Sequence, residues 1–368
     1  NYYPILVNID AHPEALPHWG VASADISYEM PVQADGSTRS AMLFMGTIPS
    51  FAGPVRSARV PMGSLREIWD SAWVFYGWQN WANGNNIVVD VDDWALSVHS
   101  DARQKGRWVF PFVEGSERNY SDLFHRENDG EHVAPHNVQI NMNAVASLFT
   151  SESTKHPFKF TETGLDRGVD VSAITINYKT TKPAYISSYE YNEMTGLYER
   201  YRNGAPYYDA LTGAQTEYAN VIVLRTDVSW FNNAPQRPVI QLVGQGVAEI
   251  FQNGKYIRGT WVRTHDGKTG DDAKSLPARM IFFDENGEEL EMKVGKTFIQ
   301  IVNNDQAVIV NAGEQIEGAT AQATPAPTAT PKPTRTPKPT RTPKASANAT
   351  PAPVEGEDNA DEDVSFGG

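Results

Sequence analysis

The segment GPVRSAR, Gly53 to Arg59, puts two arginines three residues apart with a serine between them. Planar guanidinium forks suit phosphate and carboxylate, so residue types of this kind point to anion recognition. In an extended strand Arg56 and Arg59 project to opposite faces. In a turn that feeds a helix at Pro61 they converge beside the unpaired N–H groups of a first helical turn, where partial positive charge already gathers. Ser57 adds a hydroxyl donor, and Arg39, in GSTRSAML, starts the preceding strand one connection away. The competing structural expectation pairs these guanidiniums with Asp25 and Glu29 of ADISYEM. Both hold if one arginine is anchored and another is free.

HVAPHN, His132 to Asn137, supplies the second candidate. Two histidines four apart share a helix face and can take a metal, but Pro135 argues against a continuous helix, so no metal centre is expected. His136 beside Asn137 in a loop suits ligand orientation or acid/base work, with local capping as the structural alternative. DVDDW (Asp90 to Trp94) has calcium-like acidic spacing but lacks the glycine and closing glutamate of a loop. GQGVAE (Gly244 to Glu249) lacks a third glycine for a dinucleotide. There is no Gly-x-Ser-x-Gly elbow, Walker loop or His-Glu-x-x-His pair, and no cofactor is expected. Trp78 and Trp81, after a strand end, are candidates for stacking on sugar rings, with core packing as the alternative.

The elements that must position these residues change character along the chain. Apolar runs Ile5 to Ile9, Ala24 to Val32, Ser40 to Ile48 and Ala72 to Trp78 read as strands. PMGSLREIWDSA reads as a helix with Leu65, Ile68, Trp69 and Ala72 on one face, and Asn141 to Phe149 as a second short helix. In the second half Asn203-Gly204, Asn253-Gly254 and Asn286-Gly287 sit between β-branched and aromatic runs, the strongest short-range hairpin signal. The expected fold class is α+β: a mixed α/β domain over residues 1–150 carrying the arginine site, a linker over 151–170, a smaller antiparallel β-rich domain over 171–312, and a disordered Thr/Pro-rich tail over 313–368.

The tail repeats TPKPTR twice from Thr330, carries five basic residues and then six acidic ones, and has nothing to build a core. Proline at this density favours extended polyproline II, so Thr324 to Pro353 spans about 90 Å when fully extended. Such segments suit contact with a bacterial cell wall or an ordinary linker. The formal net charge of −14 argues against general nucleic-acid affinity, and the absence of cysteine excludes disulfides and thiol nucleophiles. No apolar stretch reaches the length of a bilayer span. An apolar run almost at the first residue suggests that a leader has been removed.

The order PILVNIDAHPEALPHWG, ADISYEMPVQADGSTRSAMLF, GPVRSARVP, APHN, YNEMTGLYERYRNGAPYYDALTG and GQGVAEIFQNGKYIRGTW resembles the YerB-type bacterial lipoproteins, the domain-of-unknown-function family 3048, over Pro4 to Val310. The resemblance implies export with a lipidated N-terminal cysteine, membrane contact only through that removed anchor, and a cell-envelope location. A weaker similarity of TRSAMLFMG and GPVRSAR to the LytR-CpsA-Psr enzymes implies that Arg39, Arg56 and Arg59 grip a pyrophosphate. The leading expectation is an envelope binding or accessory protein for an anionic glycan or phosphate-containing ligand. The alternatives are a phosphotransferase or hydrolase with His136 or Asp25 as base, and a protein–protein adaptor.

Overall fold

The computed structural model describes residues 3–77, 80–82, 88–90, 112–115, 121–148, 157–230, 236–263, 280–311, 313–316 and 318. The first apolar run forms β1 (Ile5–Asp10), buried at every position, as befits a strand covered on both faces. β2 (Ile26–Pro31) and β3 (Thr38–Phe44) make an antiparallel pair, and β3 also pairs with β1, which sets Asp10 opposite Arg39. β3 stops at Phe44 because the N–H groups of Met45 and Gly46 turn to Asp25 Oδ2, at 2.7 and 2.9 Å. α1 (Val60–Trp69) then leads to β4 (Ala72–Phe75), parallel to β1, and β5 (Phe112–Glu114) lies parallel to β4. β4 is shorter than the apolar run suggests: Gly77 adopts φ 74° and donates its N–H to Glu114 Oε1 at 2.7 Å, which turns the chain out of the sheet.

The second half continues the same sheet. β6 (Asn220–Thr226) pairs antiparallel with β7 (Gly244–Gln252), which forms a hairpin with β8 (Lys255–Arg263). β9 (Thr297–Asn303) is parallel to β6 on one side and to β2 on the other, so strands from both ends of the chain share one 11-stranded sheet. These registers make β1, β2, β4, β5, β6 and β9 run the same way and end on one edge.

One face of that sheet carries α1 through Met62, Leu65, Ile68 and Trp69, in a core that also includes Leu6, Tyr28, Leu43, Ile222, Ile250 and Ile299. The opposite face is covered near β1 by Val138, Ile140, Met142 and Val145. Near β6 and β9 it is covered by a second, seven-stranded sheet, with Ile174, Ile176, Tyr189 and Tyr198 against Val221, Val223 and Phe298.

The molecule is mostly β. Among the described residues the α-helices are α1 and Met142–Ser147, so the interleaving expected of the first half is realised chiefly at α1. Asn203-Gly204 and Asn253-Gly254 both take positive φ at both residues and join paired strands. Asn286-Gly287 lies in a longer turn around Asp284, whose Oδ1 accepts from the N–H groups of Asn286 and Glu288. Residues 314–316, in the span read as tail, form the strand Glu314–Ile316 against Val308–Val310. The rest of the tail, Trp78, Trp94 and residues 151–156 of the linker lie outside the described residues, and of Trp81 only the backbone, in Asn80–Ala82, is described.

Candidate functional site

The candidate site lies at the carboxyl end of β1, where the chain of Gly53 to Arg59 crosses from β1 to the entrance of α1. The N–H of Asp10 donates to Pro54 O at 2.8 Å, the N–H of Arg56 to Asn8 O at 3.0 Å, and the N–H of Ala58 to Gly77 O at 2.9 Å. This lacing holds the two arginines beside the ends of β1 and β4. Open α/β sheets present ligand crevices at such carboxyl edges. Arg59 is the N-cap residue of α1 and makes no side-chain cap.

Asp10 is the hub. Its Oδ2 meets Arg56 Nε at 3.1 Å and His136 Nδ1 at 2.7 Å, and its Oδ1 accepts the N–H of His12 at 3.0 Å. The rings of His12 and His136 stack with centroids 4.2 Å apart. Glu14 Oε2 sits 3.7 Å from His136 Nε2 and 4.0 Å from His12 Nδ1. His12 caps the one-turn Pro13–Ala15 segment by accepting from the N–H of Glu14 at 3.2 Å.

The arginines are less satisfied. Arg39, buried, donates from Nη1 to Ser57 O at 2.7 Å, and its Nε has no partner. Arg59, also buried, donates from Nη1 to Ala58 O at 2.7 Å, with Nε unpartnered and no carboxylate within ion-pair distance among the described residues. Arg237 joins from the second half of the chain, donating to Gln33 Oε1 at 3.0 Å. Buried polar groups of native proteins are usually paired, and both of these deep guanidiniums keep a buried Nε with no hydrogen-bond partner.

The electrostatics agree. Burial opposes ionisation of Asp10, but the His136 hydrogen bond and the charges of Arg39 and Arg56 hold its carboxyl well below the usual range. Burial pushes the Arg39 guanidinium down to about 10, with Asp10 working the other way and Arg56 and Arg237 reinforcing it. Arg59 is driven down further, by burial and then by Arg39, Arg237 and Arg56. One carboxylate thus faces several cations, and an incoming anion relieves that repulsion.

Of the residues singled out in the sequence, the structure brings together Arg39, Arg56, Ser57, Arg59 and His136. Ser57 contributes its carbonyl, which Arg39 and, at 3.4 Å, Asn8 Nδ2 share, while its partly exposed hydroxyl makes no hydrogen bond among the described residues. Glu29 does pair with arginines, but with Arg200 at 3.1 Å and Arg202, on the other face of the sheet. Asp25 caps the end of β3, at the opposite end of the β2–β3 pair from Arg39. Asn137 closes a local hairpin through Arg126 Nη1 and Glu127 O. His132 does not accompany His136: its ring bonds Asp129 and Pro17 O. Sequence reading missed Asp10, His12 and Glu14, although NIDAHPEA, three ionisable residues at alternate positions after an apolar strand, carried the signal.

Family models describing the N-terminal and C-terminal domains of a "Protein of unknown function (DUF3048)" match residues 1–155 and 174–299. "Putative lipoprotein YerB" of Bacillus subtilis (strain 168) is 24% identical over 319 residues, covering 85% of each chain. The fold is similar to the crystal structure of the YerB protein from Bacillus subtilis, with a TM-score of 0.63 at 22% identity over 82% of this chain and 91% of that one. A two-part family match spread over both halves of the continuous sheet, together with a relative of nearly the same extent, places this chain in the DUF3048 family.

Proposed function

We propose that the protein is an extracytoplasmic, envelope-associated binding or accessory protein that holds an anionic, phosphate-bearing ligand, such as an envelope glycan phosphate, between Arg39, Arg56 and Arg59. The similarity to a lipoprotein supports the location. The observation that carries the ligand class is Arg59: a buried guanidinium whose one hydrogen bond among the described residues goes to the carbonyl of its own neighbour. A purely structural arginine at that depth would be paired with a carboxylate.

Calorimetric titration of the full chain with pyrophosphate, sulfate and acetate at fixed ionic strength tests this. Pyrophosphate is expected to bind most tightly, and Arg59→Gln to weaken it by about tenfold or more, since a charge-assisted hydrogen bond contributes roughly 1.5–3 kcal/mol. Equal, salt-suppressed heats for the wild type and Arg59→Gln would reject the site.

One observation favours a catalytic second reading. Asp10 holds His136 Nδ1, leaving Nε2 directed away from the carboxylate, an arrangement suited to general acid/base work. Turnover of a polyprenyl-pyrophosphate-linked glycan with magnesium, sought over about pH 5 to 9, is expected to be lost in His136→Ala. Absence of turnover in the wild type removes this reading and leaves the binding role.

A further inference from the structure

We propose that His12, Glu14 and His136 bind a divalent metal ion of the zinc class beside the arginine site. Glu14 Oε2 lies 4.0 Å from His12 Nδ1 and 3.7 Å from His136 Nε2, and the three ligand atoms fall within 4.8 Å of one another. Donors around a tetrahedral zinc, each about 2.0–2.2 Å from the ion, sit roughly 3.3 Å apart. The trio is therefore open by about 0.4 and 0.7 Å at the two Glu14 pairs and by up to about 1.5 Å at the third. Two imidazoles and a carboxylate are donors of intermediate softness, matched to late first-row ions rather than to calcium or magnesium. Three protein donors leave a coordination position for water or a ligand.

The support around the trio is as specific as the ligands. Asp10 Oδ2 accepts from His136 Nδ1 at 2.7 Å, and an ionised carboxylate there fixes the proton on Nδ1 and the lone pair on Nε2, toward Glu14. A carboxylate behind a histidine is the usual arrangement behind a metal-binding imidazole. His136 is seated by its N–H donating to Val133 O at 2.7 Å. His12 and Glu14 are brought to the same side by the single turn Pro13–Ala15.

Two adjustments accompany binding. The His12 and His136 rings lie only 15° from parallel, so their in-plane lone pairs run side by side, and His12 must turn to converge. Its side chain is 25% exposed and that of Glu14 66%, whereas that of His136 is 11% exposed. The two more exposed ligands thus close on the more buried one. Rotation releases the Glu14 N–H from His12 Nδ1, a 3.2 Å contact at the surface. The other cluster of metal-binding residue types, Asp129, Glu131 and His132, behaves differently, because both ring nitrogens of His132 are already engaged by Asp129 and Pro17 O.

The test is a zinc titration of the chelator-stripped full chain against a chromogenic competitor, with cobalt absorption as a probe of ligand geometry. One equivalent is expected. His12→Ala, Glu14→Gln and His136→Ala are each expected to weaken it by about tenfold or more, and Asp10→Asn by about 10–100-fold, the range for a group that orients a ligand. Glu131→Gln should leave it unchanged. Circular dichroism of each metal-free variant separates lost ligation from lost folding. Zinc uptake by the double variant His12→Ala/His136→Ala, folded and equal to the wild type, would overturn the site, as would no uptake by the wild type. Because Glu14 pairs with the two imidazoles and with none of the arginines, pyrophosphate binding to metal-free Glu14→Gln should match the wild type whichever way the zinc result falls.

Discussion

At the scale of single residues, Arg59 sets stability against binding. A buried cation with one carbonyl partner destabilises the ligand-free fold, and an apolar side chain of similar length removes that cost. Arg59→Met is therefore expected to raise the ligand-free stability by about 1 kcal/mol or more, on the scale of an unmet buried polar group, and to abolish the added stabilisation from pyrophosphate. Denaturant unfolding with and without the anion measures both. A second residue governs acid response. His18, fully buried and hydrogen-bonded to Tyr207, has its pKa lowered to about 3, first by burial. It stays neutral in the fold while the unfolded chain takes up a proton near 6.5. Its contribution is thus present above the unfolded value and lost as pH falls toward the folded one. Stability should decline from about pH 6.5 down to about pH 3 with a slope of up to about 1.4 kcal/mol per pH unit, and His18→Gln should flatten the decline. An unchanged slope in that variant would contradict the assignment. The arginine motif was legible from residue types and spacing alone. Asp10 and His12 carried only their alternate spacing, which gains meaning when His136, 126 positions away, folds onto Asp10.

Elements were read best where local chemistry decides. Asn253-Gly254 makes the β7–β8 turn with φ of 53° and 69°, as an Asn-Gly pair between β-rich runs requires. A side-chain carbon at Gly254 would lie 2.8 Å from the ring of Tyr191. Gly254→Ala is accordingly expected to cost about 1–2 kcal/mol from the left-handed backbone alone, with more from the ring contact, while Gly287→Ala, with nothing within 4 Å of the added carbon, should cost only the backbone part. Paired thermal melts decide this, and equal losses would refute the ring term. The start of α1 and its face through Leu65, Ile68 and Trp69 followed from Pro61 and the apolar spacing, whereas Ala72, read with them, begins β4 because Asp70 ends the helix in a left-handed conformation. Its two buried charges did not: Glu67 Oε2 takes Arg263 Nη2 at 3.2 Å, and the Arg66 guanidinium folds back onto Ser71 O at 2.7 Å. Helical periodicity assigns such residues to solvent, and tertiary partners override it.

For the whole molecule, the decisive contacts join the two ends of the chain. β2 pairs with β9, and Glu29, opposite Ser40 in the β2–β3 register, is enclosed by Arg200, Arg202, Thr38, Ser187 and Gln300. No local pattern encodes pairing over such separations, so the sequence could be read as two halves but not as one sheet. Burial opposes ionisation of Glu29, yet Arg202 and Arg200 hold its pKa down to about 2. Glu29→Gln leaves two buried guanidiniums uncompensated and should cost about 3–5 kcal/mol. Residues 1–155 expressed alone should fail to give a cooperative unfolding transition, because β2 would then be a bare edge. The sheet's shared carboxyl edge is also what lets Arg237 of the second half stand with Arg39, Arg56 and Arg59 of the first. A crystal of the full chain soaked in pyrophosphate tests that convergence as an anion site most directly. Density for the anion within hydrogen-bond distance of Arg39, Arg56 and Arg59 is the expected result. No anion among these three arginines at saturating pyrophosphate, with the anion bound elsewhere or not at all, would contradict it.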